Sequence, residues 1–442
     1  MLPAVGGLSI PGACVWTLTV WAWPYWRPTG AVPIRPQRQW AENLLKTRLL
    51  PRDYFDIAGK AGYFPALDGL RAIAITMVLV RHWAAACRDH FHVHFILGNR
   101  LLSNICLNGW SGVDLFFALS GFLVGSHVLR QTHARLDEKV IRRYYLRRFL
   151  RIVPLYVLIL LLCGFGLIPL YAVGGMDAFQ FLVQMLFLQD YLGSPVLLPS
   201  WSLGVEEKFY LLAPFLAFFL LKLEKRMAIR LLWGLSAVPV VVGLLVMRYW
   251  WQPDSYGSFF WALRTPFHFA VAAILMGMAV ALMKRDGLYT RFFHEHGRAV
   301  LYTSFALIIV VFAWRDWFSP YEDVTTQDWM ATLLIIFLLS VLYATLVLCG
   351  VADNRLSRGW LGSRPLRFVS KTSYALYLAH YAVIPLSLWL TDALLTALHL
   401  RGQVASCALL MPVFFGASLL LALAMHLTVE KPFLLLRDRI RH

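Results

Sequence analysis

Long apolar runs follow one another along the chain, with short polar connections between them. A helix needs about 20 mostly apolar residues to cross a hydrocarbon core of roughly 30 Å, because it rises about 1.5 Å per residue. Ten runs of this kind predict ten transmembrane helices, at residues 67–87, 110–130, 152–172, 202–221, 230–250, 261–283, 299–317, 329–350, 369–391 and 404–427. The pattern therefore predicts an all-α polytopic membrane protein, a bundle of about ten transmembrane helices.

Two other apolar stretches do not fit an ordinary span. Phe179 to Leu192 has about 14 residues, a length that predicts a re-entrant or interfacial helix. Leu8 to Trp26 is long enough to cross, but two prolines and a glycine interrupt it, and its tryptophan-rich end suits an interface. The pattern leaves open whether this N-terminal apolar segment is an extra span.

The runs also divide the chain into three parts. Residues 1–62 form an N-terminal extension that holds the weak apolar segment and a stretch from Arg27 to Lys60 with seven Lys+Arg. Residues 63–434 hold the ten runs and are predicted to be one transmembrane domain. Residues 435–442 are predicted to be a short basic cytoplasmic tail.

The distribution of charge predicts the orientation. The chain is 59% hydrophobic and carries 41 Lys+Arg against 24 Asp+Glu, a formal net charge of +17. One alternate set of connections holds 24 Lys+Arg and the other holds 3; the richer set is 131–151, 222–230, 284–298, 351–371 and 428–442. Because cytoplasmic loops carry the excess of Lys and Arg, this asymmetry predicts a cytoplasmic C-terminus and contacts with membrane lipids. It also removes the basis for a nucleic-acid partner, since no separate basic domain is left.

Cysteine and glycine patterns exclude other chemistries. The six cysteines are scattered without a CxxC or Cys/His ligand spacing, so the sequence predicts no metal site and no disulfide framework. No Walker-type or dinucleotide-binding glycine motif is present in the sequence. The informative residues are therefore the polar ones inside the apolar runs.

Arg71 and His82 both lie in the first run. At about 100° per residue they are three turns plus roughly 20° apart, so they share a helix face at a separation of about 16 Å. This arrangement suits an elongated ligand, with Arg71 on an anionic portion and His82 as a general base. The alternative is that Arg71 pairs with Asp68 at the i,i+3 spacing and that His82 is an ordinary buried histidine.

Asp114 lies inside the second run, in the segment GVDLFFALSGFL, which also contains Ser120. A carboxylate inside a membrane is costly, so it predicts an Arg or His partner across the bundle. Small residues at 112, 121 and 125 predict close approach of a neighbouring helix.

Five arginines precede the third run, at Arg142, Arg143, Arg147, Arg148 and Arg151. Their spacings of three and four place several of them along one helical stripe. The exclusive use of Arg in this stripe fits bidentate binding of phosphates, and the alternative is contact with lipid headgroups.

Polar residues also occur in later runs. Glu206 and Glu207 are adjacent in the fourth run, so they point about 100° apart and at least one is expected to face the bundle. Arg264, Tyr377 and His380 follow in later runs. Together these residues indicate a polar cavity enclosed by several helices.

Six segments carry a family resemblance. They are LDGLRA with Arg71 and His82 in an Arg-x10-His pattern, GVDLFFALSGFL, RRFLRIVPLY, WSLGVEEKFYLL, SYALYLAHYAVI and the closing EKPF. In this order, over residues 64–434, the chain resembles the acyltransferase 3 family of integral-membrane acyltransferases, which modify cell-surface glycans, lipids and some secreted molecules. The resemblance implies an acyl-CoA donor, usually acetyl-CoA, with Arg71 and His82 needed for transfer. It also implies that the Arg-rich segment engages the donor from the cytoplasm.

Some relatives in this family carry a fused extracytoplasmic SGNH hydrolase-like domain. Only twelve residues follow Glu430 in this sequence, and they match no such domain. Any second catalytic module is therefore expected to be a separate extracytoplasmic partner protein.

These observations lead to the hypothesis of a bacterial inner-membrane O-acyltransferase. It would move an acyl group, usually acetyl, from acyl-CoA to a hydroxyl of a cell-surface carbohydrate or lipid-linked glycan. Arg147, Arg148 and Arg151 would hold the donor phosphates. His82 would deprotonate the acceptor hydroxyl or first take the acyl group itself.

Other buried groups fill supporting roles in this hypothesis. Glu206, Asp114 and His380 are candidates for orienting His82 or binding the acceptor. The main alternative is a membrane transporter or flippase, because buried Arg, His, Asp and Glu also mark ion pathways. A third alternative, a membrane scaffold, leaves these buried charges unexplained.

Overall fold

A computed structural model describes residues 63–131, 137–171, 177–193, 196–285, 287–317, 324–352, 355–356 and 359–440. The predictions for residues 1–62, including the apolar segment from Leu8 to Trp26, lie outside the described residues.

The described residues form helices joined by turns and loops, and these ranges contain no β-strand. The first eight helices are α1 (Pro65–Phe91), α2 (Arg100–Leu107), α3 (Gly112–Gln131), α4 (Glu138–Gly164), α5 (Ala178–Met185), α6 (Gln189–Leu192), α7 (Trp201–Leu220) and α8 (Lys225–Tyr249). The others are α9 (Tyr256–Phe259), α10 (Phe267–Ala270), α11 (Ala272–Met283), α12 (Gly287–Trp314), α13 (Thr326–Ala352), α14 (Arg364–Ala382), α15 (Ile384–Ala397), α16 (Gln403–Met425) and α17 (Lys431–Arg439). The predicted boundary after residue 434 falls inside α17.

Several of these helices are suited to a membrane. Within the described ranges, six helices are long and apolar enough to span one: Pro65–Phe91, Arg100–Gln131, Lys225–Tyr249, Arg291–Trp314, Thr326–Ala352 and Gln403–Arg439. Helices α14 and α15 form a pair bent by 66°, which makes a seventh span if counted as one. The predicted all-α polytopic fold is confirmed, whereas the number of ten spans stays a prediction.

Two other apolar runs are interrupted. The third run, predicted to continue to residue 172, ends as a helix at Gly164, because Gly166 adopts a left-handed φ of 64°. Its N–H bonds the Cys163 carbonyl at 3.0 Å, and the Leu167 N–H bonds the Leu162 carbonyl at 2.8 Å, which is a Schellman stop. The sixth run is divided near Pro266, which lacks an N–H to continue a helix, and a π-helical turn at Phe260–Arg264 precedes the break.

The segment predicted to be re-entrant consists of the short helices α5 and α6. Phe187, with a positive φ of 54°, lies between them. Eight and four residues are too few to cross a bilayer as a helix.

Helices α3 and α11 cross in direct backbone contact. A Cβ added to Gly277 would lie 2.1 Å from the Ala118 carbonyl oxygen, and one added to Gly121 would lie 2.0 Å from the Ile274 carbonyl oxygen. Of the small residues predicted to permit a close approach, Gly121 and Gly125 do so at this crossing, and Gly112 does so against α1. The contact holds α3, which carries Asp114 and Ser120, in a defined position.

Gly277→Ala is expected to lower the melting temperature of the purified protein by several degrees. The added methyl group forces α3 and α11 apart, and overpacking of this kind costs about 1 to 3 kcal/mol. Gly234→Ala is the matched control, because no neighbouring heavy atom lies within 4 Å of its added Cβ and alanine favours the helix. Thermal unfolding in detergent measures both, and equal melting temperatures would contradict the packing described.

Candidate active site

The first of two cavities in the bundle is rich in charged side chains. It has a volume of about 350 Å³ and lies among α1, α3, α4, α7 and α14. Its polar lining includes Asp68, Arg71, Ser120, Arg148, Arg151 and Glu206. The structure thus brings together six predicted site residues from four different helices.

Three arginines face this first cavity. Arg148 and Arg151 are one turn apart on α4, and Arg71 reaches the cavity from α1. The Arg148 guanidinium lies over the rings of Tyr144 at 5.7 Å and Tyr210 at 5.2 Å, which fixes its direction. Arg147 is not among the residues that line the cavity.

Glu206 belongs to the arginine cluster. Its Oε2 accepts a hydrogen bond of 3.0 Å from the Tyr210 hydroxyl, which is also 2.7 Å from the Ser120 Oγ. The sequence hypothesis offered Glu206 as a group that orients His82 or binds the acceptor; its carboxylate lines the first cavity, whereas His82 lines the second. Tyr210 was missed, although its i,i+4 spacing from Glu206 on α7 places both on one helix face.

Asp68 is occupied by neutral partners. Its carboxylate accepts hydrogen bonds from the Tyr63 hydroxyl and, at 2.9 Å, from the Ser370 Oγ. Within the described part of the chain, Asp68 forms no ion pair with Arg71. Arg71 therefore lines the cavity and does not pair with the carboxylate one turn away on its own helix.

The second cavity contains His82. It has a volume of about 360 Å³, and its walls include Arg81, Trp110, Tyr256 and Tyr381. The ring of His82 lies 5.0 Å from that of His380 and 5.3 Å from that of Tyr381, measured between centroids. These neighbours come from α14, so the histidine of the first helix is held by residues about 300 positions later in the chain.

A hydrogen bond to its own helix defines the tautomer of His380. Its Nδ1 lies 3.1 Å from the Leu376 carbonyl, which only accepts, so Nδ1 donates. Its Nε2 is buried and makes no hydrogen bond to the described residues. The imidazole is fully buried beside His82, with Nε2 available as an acceptor.

Asp114 pairs with Arg264. Their side chains are 2.8 Å apart and almost fully buried, at 1% and 3% exposure. The guanidinium also lies 5.3 Å from the Trp110 ring and 5.1 Å from the Trp201 ring. The partner predicted for Asp114 is therefore Arg264, at one wall of the second cavity.

Tyr377 and Val113 line both cavities, so the two spaces adjoin at these side chains. The Tyr377 hydroxyl donates to the Pro199 carbonyl at 2.8 Å and lies 2.6 Å from the Ser202 Oγ. These bonds hold the tyrosine between the arginine cluster and His82.

A second buried ion pair was not predicted. Lys208 Nζ lies 2.5 Å from Asp190 Oδ1, and Asp190 also accepts from the Phe267 N–H at 3.2 Å. The pair fastens α6 and the start of α10 to α7. An acidic residue inside the apolar segment from Phe179 to Leu192 was the available signal.

Among the described residues, no group of three His, Cys, Asp or Glu side chains is arranged to hold a metal ion. The described residues instead place three arginines in the first cavity and the imidazole of His82 in the second.

Known proteins share this sequence pattern. Two relatives are OatA of Listeria monocytogenes, named "Peptidoglycan O-acetyltransferase", and YrhL of Bacillus subtilis, named "Putative peptidoglycan O-acetyltransferase". OatA is 25% identical over 345 residues and YrhL 27% identical over 348, each match covering 74% of this chain. The chain spans about half the length of these relatives, 50% of OatA and 49% of YrhL.

No solved structure matches this chain. The family model described as "Acyltransferase domain" matches residues 64–427, which include the side chains named above in both cavities except Tyr63. This chain is thus a membrane protein that belongs to the acyltransferase 3 family.

Proposed function

We propose that the protein transfers an acetyl group from acetyl-CoA to a hydroxyl group of a cell-envelope carbohydrate. The observation that carries this proposal is the pair of adjoining cavities, one with three arginines and the other with His82. Donor and acceptor would bind in different cavities and meet near Tyr377.

The first cavity suits the phosphates of the donor. Guanidinium groups bind phosphate oxygens in a bidentate fashion, and Arg71, Arg148 and Arg151 converge on one space from two helices. Glu206 lines the same cavity, and its carboxylate balances part of this charge. The acetylated end of the donor would point toward Tyr377 and the second cavity.

His82 would act as the general base. Its imidazole removes the proton of the acceptor hydroxyl while the oxygen attacks the thioester carbonyl, and the proton then goes to the departing CoA thiolate. Nδ1 of His380 is occupied by its own helix, so its Nε2 can accept a hydrogen bond from His82 and orient that ring. The covalent route, in which His82 first takes the acetyl group, uses the same geometry and leaves an acetylated enzyme.

The proposal includes an orientation. Connections rich in Lys and Arg would lie in the cytoplasm with the C-terminus, so acetyl-CoA would enter from the cytoplasm of a bacterial inner membrane. The relatives named as peptidoglycan O-acetyltransferases support a carbohydrate acceptor outside that membrane. In this proposal a separate extracytoplasmic partner protein would pass the acetyl group on.

Transfer of labelled acetyl groups tests the proposal. The full chain in proteoliposomes is given acetyl-CoA labelled in the acetyl group, with soluble peptidoglycan fragments as acceptor. Release of CoA thiol together with label on protein or glycan is expected. Thiol release no faster than in protein-free liposomes would overturn the proposal and favour the transporter alternative.

Arg148→Gln and Arg151→Gln are each expected to raise the KM for acetyl-CoA about tenfold or more. A hydrogen bond to a charged group contributes about 1.5 to 3 kcal/mol, and 1.4 kcal/mol corresponds to a factor of ten. Thiol release at varied acetyl-CoA concentration measures this effect. Arg142→Gln is the matched control, because Arg142 is exposed on the same helix and does not line the cavity. An equal KM for acetyl-CoA in all three variants would contradict the binding of the donor at this cluster.

A further inference from the structure

Arg81 directly precedes His82 and lines the same cavity. We infer that Arg81 binds an anionic group on the acceptor, so that the acceptor is a sugar bearing a carboxylate or a phosphate close to the hydroxyl that is acetylated. The inference rests on the proposed function, and it names the class of acceptor.

The position of Arg81 is set by close packing. A Cβ added to Gly109 would lie 2.2 Å from the Met77 carbonyl oxygen and 3.3 Å from the Arg81 Cβ. Glycine at 109 therefore lets the turn before α3 press against α1 beside the arginine stem. The Arg81 side chain then lines the cavity from this closely packed part of α1.

The Arg81 guanidinium lacks a full set of partners. Its Nη1 is buried and makes no hydrogen bond to the described residues. The Tyr256 hydroxyl is its polar neighbour, and the described residues offer it no carboxylate in an ion pair. A buried charged donor without a partner is costly, so a ligand anion would gain this interaction in full.

Two other charged side chains at this cavity have partners of opposite charge. Arg264 is paired with Asp114 at 2.8 Å. The carboxylate of Asp89, which also lines the cavity, is 56% exposed and lies 3.5 Å from Arg88, which is also 3.1 Å from Asp316. Between these pairs, Arg81 contributes a positive charge that is available to a ligand.

The walls of the cavity suit a sugar ring. Trp110, Phe260, Tyr256 and Tyr381 line it with aromatic surface that also carries polar edges. About 360 Å³ lies at the small end of the range for small-molecule sites, which fits one monosaccharide unit better than a long chain. An anionic sugar would thus place its ring on the aromatic wall and its charge at Arg81.

Binding of simple sugars tests the inference. The purified full chain is melted in detergent with D-glucuronate, glucose 1-phosphate or methyl glucoside, at equal ionic strength. An increase in melting temperature is expected with at least one anionic sugar and not with the neutral one. Glucuronate and glucose 1-phosphate distinguish a carboxylate-bearing glycan from a phosphate-linked sugar.

Arg81→Gln is expected to weaken binding of the anionic sugar at least tenfold. Arg100→Gln is the control variant. Because Arg100 is exposed at the start of α2, this variant should bind the anionic sugar as the wild type does. Arg81→Lys serves if the glutamine variant does not fold, and it should bind several-fold more weakly because it lacks the guanidinium fork.

An equal response to neutral and anionic sugars would overturn the inference, as would unchanged binding in the Arg81 variants. Thiol release from acetyl-CoA by the wild type is measured separately. If it is absent while anionic sugars bind, the proposed acetyl transfer fails and the anion site stands.

Discussion

His82→Ala is expected to reduce acetyl transfer by about 10² to 10⁴-fold, the usual contribution of a general base. The imidazole lines the second cavity, which adjoins the first at Tyr377. Label transfer from acetyl-CoA to peptidoglycan fragments measures the loss. Because the side chain faces a cavity, the variant should fold and melt close to the wild type.

His94→Ala is the matched control, since His94 is an exposed histidine three residues beyond the end of α1. It should transfer acetyl groups at the wild-type rate. Normal acetyl transfer by the His82→Ala protein would show that catalysis does not need His82. A protein that fails mainly by melting at a lower temperature would support the alternative of a structural histidine.

Asp114→Leu is expected to cause the largest loss of stability, about 3 to 5 kcal/mol, because it leaves Arg264 buried without its counter-charge. Arg264→Met should cost a similar amount for the same reason. The double variant should be more stable than either single variant, because two apolar side chains can replace a buried pair at little cost. Melting temperature and folded yield in detergent measure all three proteins.

Glu295→Ala provides the comparison for an exposed pair. Arg291 and Glu295 are 3.3 Å apart on α12, with side chains exposed at 83% and 53%, so loss of this pair should change the melting temperature little. If the loss of stability in the double variant equalled the sum of the losses in the two single variants, Asp114 and Arg264 would not be a coupled pair.

Local sequence patterns predicted much of the fold. Apolar runs of sufficient length predicted helices, because a backbone inside a bilayer must satisfy its own hydrogen bonds. The arginine stripe before the third run correctly located Arg148 and Arg151 on one helix. Small residues on α3 indicated the close crossing with α11.

Other features lay beyond those patterns. The stop after Gly164 depends on a left-handed Gly166, which an apolar average does not register. The break near Pro266 divides a run that is apolar on average, so the average does not indicate the break. Arg81 was overlooked because the sequence does not show whether a single arginine next to a histidine has a charged partner in the folded protein.

The sequence by itself determined the all-helical membrane fold, the family and several of the buried ionisable residues, among them Asp114, Arg264 and His380. These properties depend on composition and on spacing along one helix. The tertiary structure alone decided which residues meet: Asp114 with Arg264, Glu206 with the arginines, and His82 with His380. Such pairs join residues up to about 300 positions apart, and only the packing of helices brings their side chains together.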